Sequence, residues 1–490
     1  MAIEGITSYY AKNQTKYHAV SEGECEKLIE ASLRIMSEIG LMIKNPKAVE
    51  RLVAAGCTAE GEMVKFPTSI VKEAIASAPS EMVLYDRNGN EAIRAGGTAN
   101  YYGNGPTNPS YNDFETGKRR PSLRADVARN ALVTDACPNV DFVMGLAQIS
   151  DCDQRIADVV ELRELLPNTT KPIIAWGLDV DNFKTEVEMA AAVAGGMDKL
   201  VEKPFMAIFP GCPITPLVIN EGLCDKLEYT VELGLPAIWM TGPQLGSTAP
   251  VTVAGSIAMG MAEVFCGLVL SQVIKKGSVF VGGCVIVNVD MATSQSGYGT
   301  PEHCIAENIV ADIFHYLDLP MIQTGGVTDS KLVDEQSAIE ASMAILTNAL
   351  SGGHLVHDVG FVDSAMSGSL EQIVLCDEII GYARRIAKSI EINDNTLAFD
   401  AIKEVGAGGQ FLTHEHTFTN FRNELWKPTL MDHRSYQSWI LDPSDMRTRI
   451  HNKTADILAN YKPQPLDDAV LAELDRILEE RAKSLPEMAD

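Results

Sequence analysis

The stretch GGHLVHDVGFVDSAMSGS, residues 352–369, decides how this sequence folds. Its first half is a short apolar run that ends on His357 and Asp358, stops at Gly360 and passes into small residues that open a helix. An apolar run of this length bounded by glycine reads as a buried strand. A strand that feeds a helix reads as half of a parallel β/α unit. Seven similar runs precede it: ANYYGN (99–104), DFVMGLA (141–147), PIIAWG (172–177), FMAIFPG (205–211), LPAIWMTG (235–242), SVFVGGCVIV (278–287) and LPMIQTGG (319–326). Their starts lie roughly 30 to 45 residues apart, which leaves room for a helix between strands. Eight such units predict an α/β fold, a (β/α)8 TIM-type barrel, whose usual length of about 250 residues matches this span. An open doubly wound sheet is the alternative, but no glycine-rich phosphate loop follows the first run.

The barrel is therefore expected over residues 99–365. Residues 1–98 read as a mostly helical extension. Ser21 and Glu24 carry a capping-box signature, Leu28, Ser32, Ile35 and Ile39 follow at helical spacing up to Gly40, and a second helix is expected over 69–77. Residues 366–490 read as a helical segment packed on the barrel. It contains a long helix at 369–390 and an amphipathic docking or oligomer helix at 466–485.

Apolar residues make up 46% of the chain and charged residues 22%, an ordinary soluble globular balance. The 40 basic and 66 acidic side chains leave a net charge of −26, which argues against a nucleic-acid partner and suits a cationic small molecule. The ten cysteines are scattered, with no C-x-x-C pair. The opening MAIEGITSYYAKNQTKYHAV has neither the apolar core nor the cleavage site of a leader, so a cytoplasmic location is expected. The longest apolar stretch, 254–274, carries Glu263 near its middle, a costly residue in lipid. A buried core helix is expected there, and no membrane partner.

In a (β/α)8 barrel the chemistry sits at the C-terminal ends of the strands. The residues to inspect are then Tyr101 and Tyr102, Trp176, Phe209, Trp239, Cys284, Gln323 and His357, in strand order. His354 and His357 are three apart, and strand side chains alternate, so only one faces the interior. His357 is nearer the strand end and is the choice; His354 is expected to pack outward with Asp358. Aromatic residues near several strand ends, in a chain only 6% aromatic, suit an apolar body or a quaternary ammonium held by cation–π attraction. Cys212, Cys284 and His303, or His414 with His416, are metal-capable residue types, but their spacing does not demand a metal, and none is expected.

Four long motifs carry a family resemblance. They are GNGPTNPSYNDFETGKRRPSLRADVARNALVTDACPNVDF (103–142), QTGGVTDSKLVDEQSAIEA (323–341), VHDVGFVDSAMSGSLEQIVLCDEIIG (356–381) and FLTHEHTFTNFRNELWKPTLMDHRSYQSW (411–439). Together they resemble the trimethylamine methyltransferase superfamily, the corrinoid-protein methyltransferases, over nearly the full length. The resemblance implies a (β/α)8 fold and transfer of an N-methyl group to the cobalt of a separate corrinoid (cobalamin) protein, with no cofactor bound by this chain. One branch of that family uses pyrrolysine near the QTGGVTDSK region. This chain reads through it with the twenty standard residues. The departure points to the branch that looks like glycine betaine, proline betaine and carnitine methyltransferases.

Such chemistry needs little from the protein. A quaternary ammonium leaves as a neutral tertiary amine, whereas trimethylamine would have to leave as an amide anion. The enzyme must desolvate the cation and aim one methyl at the acceptor. Positioning can be worth about 7–11 kcal/mol, against about 2 kcal/mol for a desolvated cation–π contact. His357 is the expected catalytic residue, either orienting the substrate or hydrogen-bonding a carboxylate or the incoming corrinoid. Phe361 joins the substrate-binding set, and Arg119 or Arg120 is a candidate donor to a substrate carboxylate. A homo-oligomer is expected. The competing readings are a trimethylamine-type methyltransferase, a metal-dependent barrel lyase or hydrolase using Cys212, Cys284 and His303, and a non-catalytic quaternary-amine binder.

Overall fold

The computed structural model describes residues 17–486. Residues 1–16 of the segment read above as lacking a leader lie outside the described residues.

The first described helix, Glu22–Arg34, starts at the expected capping box, where the Ser21 backbone N–H donates to Glu24 Oε2 at 2.8 Å. A π turn, Ile35–Ile39, follows and Gly40 closes it at φ +88°. The buried face is Cys25, Ile29, Ser32, Leu33 and Met36, one step round from the expected stripe, and Ile39 is exposed. Two apolar stripes compete at this spacing, and the wider π turn rotates the last residues out of register. The helix Thr68–Ser77 lies where expected. Among the described residues the N-terminal segment also holds five short strands. Leu41–Ile43 pairs in parallel with Val218–Ile219 and antiparallel with Met63–Lys65. The hairpin of Met82–Tyr85 with Glu91–Ala95 puts Met82, Leu84, Ile93 and Ala95 into one apolar cluster with Ile174, Ala207, Ile238, Val281, Ile322 and Leu355.

The central part alternates strands and helices, and its strands pair in parallel. Ile173–Trp176, Met206–Phe209, Ala237–Thr241 and Phe280–Cys284 form one sheet in that order. Ile322–Thr324, Leu355–Val359 and Tyr101–Asn104 form another. Seven of the eight expected runs are thus strands. The eighth, 141–147, is reduced to isolated parallel bridges, Gly103 with Phe142 and Val143 with Ile173. Leu146 breaks it with φ +68°, and Gly145 lies where any Cβ would strike the Glu161 carboxylate. A further bridge joins Gly282 and Met321.

The Val253–Ile274 helix is long and apolar enough to cross a membrane by length and composition. Here it is a core helix, packed against Glu22–Arg34 and Thr68–Ser77. Its buried Glu263 accepts hydrogen bonds from Thr215 Oγ1 at 2.9 Å and Leu217 N at 2.7 Å. The Leu370–Ala387 helix packs on Glu335–Ser351, and the tail helix Asp468–Ser484 docks on Val180–Ala194 through buried Leu474 and Ile477. Between Lys388 and Asp445 the chain is different. Short helices and the turns between them carry exposed Ile392, Phe399, Leu412, Phe418 and Leu441, and few side chains there are buried.

Candidate active site at the strand ends

Strand alternation decides which residues meet at the C-terminal ends of the parallel strands. Tyr101, Trp176, Phe209 and Met240 join the apolar cluster on the inner face. His357 belongs to the same face, two residues beyond Leu355. Its Nε2 lies 3.2 Å from Thr324 Oγ1 and 3.1 Å from Met240 Sδ. Tyr101, Trp176, Phe209 and His357 therefore lie on the same face of their strands.

Four other expected residues face the opposite way. Tyr102 is fully buried towards the helices, its hydroxyl donating to Ile345 O at 3.3 Å and its ring under Arg384. Trp239 packs on Gly267 of the core helix and donates its Nε1–H to Glu263 O at 3.1 Å. Cys284 packs on Gly260 of the same helix. Gln323 is buried beside Gly353 with both amide atoms unpartnered. In the strands of Trp239, Cys284 and Gln323 the inward residue is a neighbour: Met240, Gly283 and Thr324. Taking the last residue of each run without fixing its parity picked the wrong face.

His354 also differs from expectation. It packs away from Asp358, with Nδ1 accepting from Met321 N at 3.1 Å and Nε2 3.0 Å from Gly97 O. Asp358 instead lies beside His357, with Oδ1 2.5 Å from Nδ1. The atoms are close, but they are not aligned for a hydrogen bond. Both residues are buried. Asp358 has φ +76° and sits at a register shift between Val356 and Val359. A left-handed aspartate at a bulge is a strained device that re-aims a side chain, and such strain concentrates at functional sites. Gly105 makes the room: a Cβ there would collide with Phe361 and the Asp358 carboxylate. Phe361 is thus a buried support for Asp358 and Gly105, in the cluster facing the helices.

Beyond the strand ends, three loops are stapled by carboxylates. Asp329 accepts from Tyr298 N at 2.8 Å, Gly299 N at 2.9 Å and Ser364 Oγ at 2.8 Å. Glu340 accepts from Thr328 Oγ1 at 2.5 Å and Asp329 N at 2.8 Å. Asp363, Ser364 and Ala365 run consecutively at φ +55°, +54° and +63°. Three left-handed non-glycine residues in a row are costly, and the network holds them. Asp363 pairs with Arg119, and Arg120 pairs with Asp113 at 2.6 Å and with Asp126 at 2.5 Å while stacking on Tyr111. Both arginines are thus committed to carboxylates of the chain, which removes them as free donors to a substrate carboxylate.

Glu307, behind Thr324, was not singled out by the sequence. Its Oε2 accepts from Thr324 N at 2.9 Å, and burial, with Asp358 nearby, pushes its carboxyl up to about 8. His303 is fully buried with Nδ1 2.8 Å from Ile286 O, and burial lowers its pKa. Among the described residues no three His, Cys, Asp or Glu side chains gather to hold a metal. Cys284 faces the core helix, while His414 caps the Glu415–Glu424 helix and His416 Nε2 lies 2.9 Å from Asn395 O.

A cavity of about 280 Å³ opens at the ends of the Ile173–Trp176 and Met206–Phe209 strands. Trp176 and Phe209 line it together with Pro106, Thr107, Leu178, Cys212 and Lys226. Trp176 is fixed by its Nε1–H, which donates to Glu161 Oε1 at 2.8 Å. Burial raises the Glu161 carboxyl well above the usual carboxylate range. The cavity offers two aromatic rings, one ammonium and no aligned acid–base pair, an arrangement for gripping a small molecule.

Comparison with known proteins supplies the setting. The family model described as trimethylamine methyltransferase (MTTB) matches residues 2–486. A glycine betaine methyltransferase of Desulfitobacterium hafniense (strain Y51) is 29% identical over 96% of this chain and 98% of its own length. A trimethylamine methyltransferase MttB of D. hafniense (strain DSM 10664 / DCB-2) is 30% identical, covering 94% of this chain and 93% of that one. The crystal structure of the Methanosarcina barkeri monomethylamine methyltransferase (MtmB) superposes with a TM-score of 0.52 at 14% identity, covering 93% of each chain. That last likeness speaks for the fold alone.

Proposed function

The chain belongs to the trimethylamine methyltransferase family and is a methyltransferase; from that premise we propose that it moves a methyl group from a quaternary amine of the betaine or carnitine type to the Co(I) of a separate corrinoid protein. The observation that carries this reading is the pair of rings, Trp176 and Phe209, lining a cavity at the strand ends beside an inner face that holds His357 and Met240. In the proposed fold the parallel pairings and bridges lead from Tyr101–Asn104 through each strand to Leu355–Val359 and back, which supports a closed (β/α)8 barrel over 99–365. In this reading the described residues of the 1–98 and 366–490 segments flank it.

In the proposed reaction the C–N bond breaks and its electron pair stays on nitrogen, giving a neutral tertiary amine, while the methyl passes to cobalt. The rings strip water from the cation and hold it. His357, its Nδ1 beside Asp358 and its Nε2 between Thr324 and Met240, positions the transferred methyl from the inner face. The acceptor arrives on a partner. Its docking is supported by exposed apolar residues on successive loops past the strand ends: Leu178, Ile214, Val251, Met291, Leu332 and Met366. The exposed apolar side chains between Lys388 and Asp445 support a homo-oligomer. The cysteine thiols, with no disulfide among the described residues, support a cytoplasmic location.

The test is an assay of purified protein with free cob(I)alamin and a panel of glycine betaine, carnitine, choline and trimethylamine, followed by visible absorbance and amine analysis. Methylation of the cobalamin with release of the matching tertiary amine supports the proposal. Methylation from trimethylamine alone, or none from any of the four, overturns it.

A further inference from the structure

We infer that Lys226 is the anchor for a carboxylate on the substrate, so that the cavity beside Trp176 and Phe209 takes zwitterionic quaternary amines and discriminates against those without an acid group. The inference rests on the quaternary-amine reading above and narrows it.

Lys226 lies in the first turns of the Glu221–Leu233 helix, and its side chain reaches the cavity wall. One of its three ammonium donors is spent on Gly177 O at 2.9 Å. The Phe183 ring lies 5.7 Å from the ammonium on another side, and Gly211 borders it, a Cβ there lying 3.8 Å from the ammonium in ordinary contact. Burial works against its charge and lowers its pKa, while Asp158, Glu186 and Asp179 favour the charge from a distance; among the described residues no carboxylate comes within ion-pair reach of it, so an incoming carboxylate would supply the missing counter-charge. An ammonium with spare donors, set beside two aromatic rings in a small cavity, is a recognition pair for a zwitterion: rings for the trimethylammonium end and a point charge for the acid end.

The other cations near the strand ends do not offer this. Arg119 and Arg120 are paired with Asp363, Asp113 and Asp126. His357 has the Asp358 carboxylate 2.5 Å from its ring, which repels an anion. Lys226 also lies far along the chain from the strand-end positions, on the helix that follows the loop, so no scan of strand ends reaches it.

The test is isothermal titration calorimetry of the full chain and of Lys226→Met with glycine betaine, carnitine and choline, with Lys226→Arg as the conservative control. The wild type is expected to bind the two acids more tightly than choline. Lys226→Met is expected to weaken the acids by about tenfold or more and to leave choline unchanged, and Lys226→Arg to recover part of the loss. Equal weakening of all three ligands, or no change for the acids, overturns the anchor and leaves the methyltransferase reading standing. A wild type that prefers choline overturns the anchor as well. Failure to bind any quaternary amine overturns the parent reading and this inference with it.

Discussion

At the residue scale the decisive feature is His357 with its neighbour Asp358. A histidine at the end of a buried strand is recognisable in sequence because parity excludes His354 from the same face. Its aspartate was not assigned correctly, because a bulge with φ +76° breaks the alternation that sequence reasoning relies on. Replacement of His357 by alanine is expected to lower the rate of methyl transfer by about tenfold or more. Binding of the quaternary amine, measured separately by calorimetry, is expected to persist through Trp176 and Phe209. Glu307 gives a pH signature. Burial holds its folded-state value near 8 against an ordinary 4.5, so between these values the folded chain keeps a proton that the unfolded chain loses. Stability contributed by the neutral acid is complete below about 4.5 and is lost as pH rises through 8. Glu307→Gln is therefore expected to match the wild type in thermal melts at pH 5 and to exceed it by about 2–4 °C or more at pH 9.

At the scale of elements, seven of eight strands were legible because buried parallel strands are short apolar runs ended by glycine or turn residues. The exception, 141–147, has the right composition but is broken by the left-handed Leu146, next to Gly145, where Glu161 approaches closely, a contact no local pattern encodes. The N-terminal strands were missed for a related reason. Three-residue strands such as Leu41–Ile43 owe their pairing to a distant partner, Val218–Ile219. The inward choice at strand ends failed for Trp239, Cys284 and Gln323 because parity depends on where each strand's register starts. Gly105 links two of the motifs by close approach. Gly105→Ala is expected to destabilise the fold by about 1–3 kcal/mol in denaturant titrations, since the new Cβ meets Phe361 and Asp358. It should also slow methyl transfer by displacing Asp358.

At the scale of the whole molecule, the family and its methyltransferase activity were readable from long motifs, two of which now adjoin. The 103–142 motif supplies Gly105 and the Tyr111–Asn112 and Arg119–Arg120 strands, which adjoin the Phe361–Val362 and Ser367–Gly368 strands of the opening stretch. The cavity was not readable, because Lys226, Trp176 and Thr107 come from three separate units. The apolar loop residues past the strand ends make a claim about the partner. Val251→Asp combined with Met291→Glu is expected to raise the KM for the corrinoid protein about tenfold, with glycine betaine binding by calorimetry unchanged. An unchanged KM would remove those loops from the docking surface.

The central claim is that a permanently charged nitrogen supplies its own leaving group, so that this chain only has to hold the donor and aim it. Single-turnover methylation of cob(I)alamin by glycine betaine, compared with dimethylglycine under the same conditions, tests it most directly. The account predicts transfer from glycine betaine and none above background from dimethylglycine; equal rates from the two would contradict it.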